Sequence, residues 1–175
     1  MTSRLLPALL LLLLPLQAVL AAPPAATTVV LVRHAEKALD QGNDPHLTDV
    51  GVARAKALAA ALESAPVDAI FTTNWLRTKE TAAPLASARK IEVQQLPDAP
   101  ADTNAYATAL AKVIATRYAG KGVVVVGHSN TIPAIVEALS GRKMAAIGDS
   151  EYDHLYIVTL APGAAPSVIV AQYGH

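Results

Sequence analysis

Short β-branched and apolar runs alternate along the chain with stretches in which apolar side chains recur every three or four positions. The runs fall at Thr28–Val32, Val67–Phe71, Ile91–Gln95, Val123–Val126, Leu155–Leu160 and Val168–Val170. They read as strands, the first of them buried. Between them, Thr48 is placed to cap a helix whose Val52, Ala55, Ala59 and Leu62 share one face. Asn74 is placed to cap a second helix, which Pro84 should kink or end. A third helix is expected from about Thr103 to Tyr118. A fourth should start near Thr131, tolerating Pro133 in its first turn and burying Ile132, Ile135, Val136 and Leu139. This order predicts an α/β fold, a three-layer sandwich around a mostly parallel central sheet. Such sheets bind ligands at the carboxyl ends of their strands. Arg33-His34, the segment Thr72 to Arg77, and Gly127-His128 should therefore converge, although they are far apart in the chain.

The N-terminus follows a different pattern. Arg4 precedes an apolar run from Leu5 to Leu20, interrupted by Pro7 and Pro15 and followed by Ala21 and Ala22. That is the grammar of a cleaved signal peptide, and the run falls short of the roughly 20 apolar residues a membrane span requires. Val19 and Ala21 place the cut after Ala21. The expected organisation is a signal peptide over residues 1–21, a linker over 22–27 containing Pro23-Pro24, and one domain over 28–175. The mature protein is expected to be exported, periplasmic or secreted, without stable membrane association.

Charge and cysteine usage narrow the chemistry. The chain has 14 basic and 14 acidic residues, and cleavage would remove Arg4 and no acid. This balance offers no basic surface for nucleic acid, so a small soluble partner is expected. Cysteine is absent, which excludes disulfides, thiolate catalysis and cysteine-based zinc sites. No cofactor or metal is called for, and the oligomeric state is not legible.

Arg33, His34, Arg77 and His128 would place two guanidiniums and two imidazoles in one pocket. Like charges gather where something negative belongs between them, and the planar fork of arginine matches phosphate oxygens. The helix N-terminus after His128 adds backbone donors, which makes a phosphate monoester the natural occupant. Nearby arginines should also disfavour protonation of His34, leaving a neutral ring suited to covalent catalysis. Attack on phosphorus would spread charge over oxygens that Arg33, Arg77 and His128 could stabilise.

The segment Leu31-Val32-Arg33-His34-Ala35-Glu36-Lys37 resembles the Arg-His-Gly signature of the histidine phosphatase superfamily, in its phosphoglycerate mutase-like branch. Leu47-Thr48 with Gly51, Arg54 and Ala55 is similar to that family's leucine-threonine helix start. Arg77-Thr78 with Thr81-Ala82 is similar to its second-arginine segment, and Val126-Gly127-His128-Ser129 to its second-histidine segment. The resemblance implies a phosphoglycerate mutase-like fold and hydrolysis of phosphate monoesters through a phosphohistidine on His34. It also implies a carboxylic acid that protonates the leaving oxygen after the third strand, where Leu96-Pro97-Asp98 supplies Asp98; Glu36 and Asp102 are the alternatives. Only residues from about Gln94 to Asn104 are available to build a lid, which favours hydrolysis over mutase chemistry.

Two other readings remain open. Gly127-His128-Ser129-Asn130-Thr131 nearly spells the nucleophile elbow of serine hydrolases, with Ser129 as nucleophile, but leaves Arg33 and Arg77 without a role. A phosphate-binding module that has lost catalysis would keep the same pocket. The His34-Ala35-Glu36 spacing of zinc deaminases fails for want of the cysteine pair. Asp102 and Thr103 compete to cap the third helix, and His46, His154 and His175 read as surface or packing residues.

Overall fold

A computed structural model describes residues 25–39, 41–95 and 102–174. The expected signal peptide, Asp98 and His175 lie outside these residues. The elements are β1 (Thr27–Arg33), α1 (Asp49–Ala61), β2 (Ala69–Thr72), α2 (Leu76–Arg89), β3 (Val93–Gln95), α3 (Thr103–Arg117), β4 (Gly122–Gly127), α4 (Thr131–Ser140), β5 (His154–Leu160) and β6 (Ser167–Gln172). They form a six-stranded sheet in the order β3-β2-β4-β1-β5-β6. The first four strands of that order run parallel, while β5 and β6 join antiparallel. The expected α/β architecture is therefore the observed one.

The sheet is covered on both faces, so its central strands are apolar throughout rather than alternating. Val29 and Leu31 of β1 pack with Leu110, Ile114, Ile132 and Ile135 of α3 and α4. Val30 and Val32, facing the other way, pack with Leu58, Leu85 and Ala86 of α1 and α2. Each fully buried valine or leucine contributes about 1.5–3 kcal/mol. The register Leu31↔Val125, Val32↔Val126 and Arg33↔Gly127 sets the ends of β1 and β4 side by side. His34 continues the ladder by donating its N–H to Gly127 O at 2.8 Å.

Three local expectations change. Helix α1 has its Thr48 cap, with Thr48 Oγ1 accepting from Gly51 N, but its buried face is Gly51, Ala55, Leu58 and the following Leu62, leaving Val52 43% exposed. Close approach of Gly51 to the Glu36 carbonyl sets that rotation. The N-cap of α2 is Trp75, not Asn74, and the Leu76 N–H is met by Asp44 Oδ1 at 2.9 Å. Helix α2 also runs through Pro84. Loss of one helical bond and the ring clash cost about 3 kcal/mol, which burial of Thr81, Ala82, Leu85 and Ala86 around the proline offsets. Asp102 wins the cap of α3, accepting from Asn104 N and Ala105 N. The stripe foreseen on α4 is buried in full.

A Cβ built on Gly51 would lie 2.2 Å from Glu36 O, so the helix or the loop beside His34 must shift to accept it. Gly51→Ala is expected to destabilise the fold by about 1–3 kcal/mol, the usual cost of overpacking. Urea denaturation of the two proteins measures this directly, and an unchanged midpoint would show that this approach constrains nothing.

Candidate active site

The carboxyl ends of β1, β2 and β4 open into a cavity of about 640 Å³ lined by Arg33, His34, Lys37, Thr73, Trp75, Arg77, His128 and the first residues around the α4 N-terminus. The three segments expected to converge do so.

His34 is 4% exposed. Its Nδ1 lies 2.8 Å from Ala35 O, and a carbonyl can only accept, so Nδ1 carries the proton. In the neutral ring, Nε2 then keeps its lone pair. Burial, first, and then the charges of Arg77, Arg33 and Lys37 lower the pKa to about 4, against the opposing effect of the Ala35 bond. Burial thus outranks the arginines that the sequence singled out. His128 is lowered to about 3, again chiefly by burial and then by Arg77, His34 and Arg33. The two rings meet edge-on with centroids 5.4 Å apart, a distance two imidazoliums would not favour.

Arg33 ends β1 and is 6% exposed. One terminal nitrogen, Nη1, donates to the carbonyls of Gly148, Asp149 and Glu151 at 2.7, 3.0 and 3.1 Å. Its guanidinium carbon sits 4.1 Å from the centre of the Tyr152 ring. Arg77, in the first turn of α2, pairs loosely with Asp44 at 3.7 Å and lies 4.5 Å from the centre of the Trp75 ring. The Nε–H groups of Arg33 and Arg77 are both buried, and neither has a partner among the described residues. A buried donor left unmet is costly, so each of these two calls for a further acceptor, which a water or an anion could supply.

His128 Nε2 lies 3.0 Å from Thr73 Oγ1, which in turn lies 3.0 Å from Thr78 Oγ1. Thr78 Oγ1 also lies within hydrogen-bond reach of the Thr73 and Trp75 carbonyls, so this chain of hydroxyls ties the ring to the start of α2. Thr131 Oγ1 accepts the His128 backbone N–H at 2.8 Å and holds that residue at the start of α4.

The alternative acids fare differently from the basic residues. Glu36 has both carboxylate oxygens on Arg54, at 2.7 to 2.9 Å. Although burial opposes ionisation, these bonds hold its pKa below the usual value, the wrong direction for an acid catalyst. Glu36 is therefore structural, and it does not line the cavity. Asp102 is occupied as the α3 cap. No carboxylate lines the cavity among the described residues; Asp98 lies between Gln95 of β3 and Thr103, which does line it. Ser129 lines the cavity too, but among the described residues it has no hydrogen bond to either histidine, as a serine nucleophile would need. No group of three or more metal-ligating side chains occurs among the described residues. Sequence reasoning named the segments holding Thr73 and Thr78 without giving either a contact of its own, and missed Tyr152, Asp44 and the carbonyls of Gly148, Asp149 and Glu151. The last are more than a hundred residues from Arg33, and backbone carbonyls leave no signature in side-chain identity.

The fold and the site define an α/β protein with a basic, histidine-bearing cavity at the carboxyl ends of its parallel strands. The particular resemblance is to the histidine phosphatase superfamily (branch 1), whose sequence profile matches residues 29–99, a span that includes Arg33, His34 and Arg77. Solved structures agree in fold. The protein histidine phosphatase SixA complexed with tungstate superposes with a TM-score of 0.66 at 18% identity, covering 83% of this chain and 96% of that one. A mycobacterial glucosyl-3-phosphoglycerate phosphatase gives 0.65 at 17% identity, covering 85% and 99%. A phosphoserine phosphatase mutant from Entamoeba histolytica gives 0.63 at 15%, covering 85% and 96%. No curated protein matches the chain in sequence.

The buried histidines also link stability to pH. Unfolded histidine titrates near pH 6.5, whereas folded His34 and His128 titrate near 4 and 3. Between those values the unfolded chain binds protons that the folded chain refuses, so their contribution is complete above about pH 6.5 and is lost as pH falls toward the folded values. Urea midpoints measured from about pH 8 down to 4 are expected to decline below 6.5, and His34→Asn should make the decline shallower. An equal slope in the variant would mean that His34 is protonated as readily in the folded protein as in the unfolded one.

Proposed function

We propose that the protein hydrolyses phosphate monoesters, with His34 as the nucleophile. The observation that carries this reading is the pair of guanidiniums, Arg33 and Arg77, that line the same cavity as a neutral His34 whose Nδ1 carries the proton, leaving a lone pair on Nε2. The superfamily match and the phosphatases among the structural neighbours support phosphatase activity generally. We propose also that residues 1–21 are a signal peptide, which would have the substrate met outside the cytoplasm.

In the first step, His34 Nε2 attacks phosphorus and the phosphorus–oxygen bond to the leaving group breaks. The leaving oxygen takes a proton from Asp98, the acid we assign to this step. Arg33, Arg77, His128 and the α4 N-terminus stabilise the charge spread over the three equatorial oxygens. In the second step, water attacks the phosphohistidine, gives its proton to the Asp98 carboxylate, and releases inorganic phosphate and neutral His34. Nδ1–H stays on Ala35 O throughout, which keeps Nε2 as the reacting nitrogen.

A phosphoryl group on imidazole nitrogen is labile in acid and survives alkali. Rapid quenching with radiolabelled substrate is expected to trap such an adduct on His34, and His34→Ala should abolish both adduct and turnover. An acid-stable label on Ser129 would instead move the protein to serine chemistry, and phosphate binding without turnover would make it a binding module.

Asp98→Asn is expected to slow alkyl phosphates by about 10²- to 10⁴-fold, the usual worth of general acid catalysis, while sparing an activated aryl phosphate. Equal slowing of both substrates would show that Asp98 is not the proton donor.

A further inference from the structure

Among the residues lining the cavity, Lys37 has no part in the chemistry above. Arg33, Arg77, His128 and the α4 N-terminus already meet the oxygens of one phosphate group. Lys37 is half-buried and makes no ion pair among the described residues. Three acids of the neighbouring described segments are committed elsewhere. Glu36 is held by Arg54, Asp44 accepts from Leu76 N beside Arg77, and Glu80 is shared between His46 and the Leu47 N–H.

Its backbone is held in place. Lys37 pairs with Leu47 in an isolated antiparallel bridge, flanked by Ala38 N to His46 O and Thr48 N to Glu36 O, both at 2.9 Å. Through Glu80, which lies on α2, that short ladder is fastened to the helix that carries Arg77. Lys37 therefore holds a fixed place relative to the phosphate donors, and its charge is felt at the His34 ring. A lysine meant only for solubility needs neither the cavity nor the anchoring. A flexible ammonium on a pinned backbone suits an anion whose position varies over an ångström or two, beyond the scissile phosphate.

We infer that Lys37 forms a second anion subsite, so that the substrate is a phosphate monoester whose leaving group carries a further anionic group such as a carboxylate or a second phosphate. This rests on the phosphatase reading of the site, and the test separates the two. The probes are the 2-, 3- and 4-carboxyphenyl phosphates, each beside its neutral carbamoylphenyl isostere. At least one carboxylate is expected to exceed its isostere in kcat/KM by about tenfold or more, the worth of one charge-assisted hydrogen bond, with the difference lying mainly in KM. Lys37→Met should remove that preference and Lys37→Arg should largely restore it, while the circular dichroism spectra of all three proteins remain alike.

Binding provides a readout apart from turnover. Trp75, the single tryptophan of the chain, lines the same cavity, so its emission reports occupancy even in the His34→Ala protein. Loss of turnover with a Lys37-dependent preference for the carboxylates in binding would overturn the phosphatase reading and keep the subsite. Turnover with no carboxylate preference, or a preference that survives Lys37→Met, would overturn the subsite and keep the phosphatase. Neither turnover nor binding of any probe would overturn both.

Discussion

A guanidinium buried at the end of a central strand must have its donors met, and much of the site's form follows from how Arg33 satisfies that demand. Three carbonyls from residues 148–151 take one terminal nitrogen. Glu151 steadies their segment by accepting the Gly148 N–H at 2.6 Å, and Tyr152 then covers the guanidinium. Carbonyl dipoles hold the charge without cancelling it, as a carboxylate would. Arg33 thus stays strongly positive toward the cavity while its direction is fixed, the condition for electrostatic stabilisation that needs no rearrangement during reaction.

The same economy of charge explains the state of the histidines. Two cations beside two imidazoles would be intolerable if all four were protonated. Burial and the guanidiniums keep both rings neutral, and the bond of His34 Nδ1 to Ala35 O then decides which nitrogen keeps its lone pair. His128 is fixed by hydroxyls rather than by a carboxylate, so it remains a neutral hydrogen-bonding group in the cavity. Glu36, one residue beyond Ala35, does its work away from the cavity. It joins β1's end to α1 through Arg54, which also donates to the Tyr173 and Gly174 carbonyls near the end of the chain.

Strand order brings these pieces together. With β1 and β4 adjacent and parallel, His34 and His128 leave the sheet side by side. With β2 on the far side of β4, Thr73 arrives within reach of His128 and Arg77 follows on α2. The antiparallel β5, on the opposite side of β1, begins just after the segment that clamps Arg33.

Much of this was legible in the residues alone. Uninterrupted apolar runs marked strands covered on both faces, and alternation with helical periodicity marked a parallel sheet. The rule that ligands gather at strand carboxyl ends then brought Arg33, His34, Arg77 and His128 to one place. What the sequence misjudged were rotations and compensations: the α1 face turned by Gly51 against Glu36 O and the α2 cap supplied from Asp44, while of the two outcomes expected at Pro84, a kink or an end, the helix does not end there. Nor could it reveal how the charges are held. Arg33 is clamped by backbone carbonyls, His34 is kept neutral first by burial, and Glu36 is withdrawn from acid catalysis by Arg54. Periodicity and residue type determine which surfaces must be buried and which chemistries are possible. Only the tertiary structure decides which donors are already satisfied and which remain for a ligand, because that depends on contacts between groups more than a hundred residues apart.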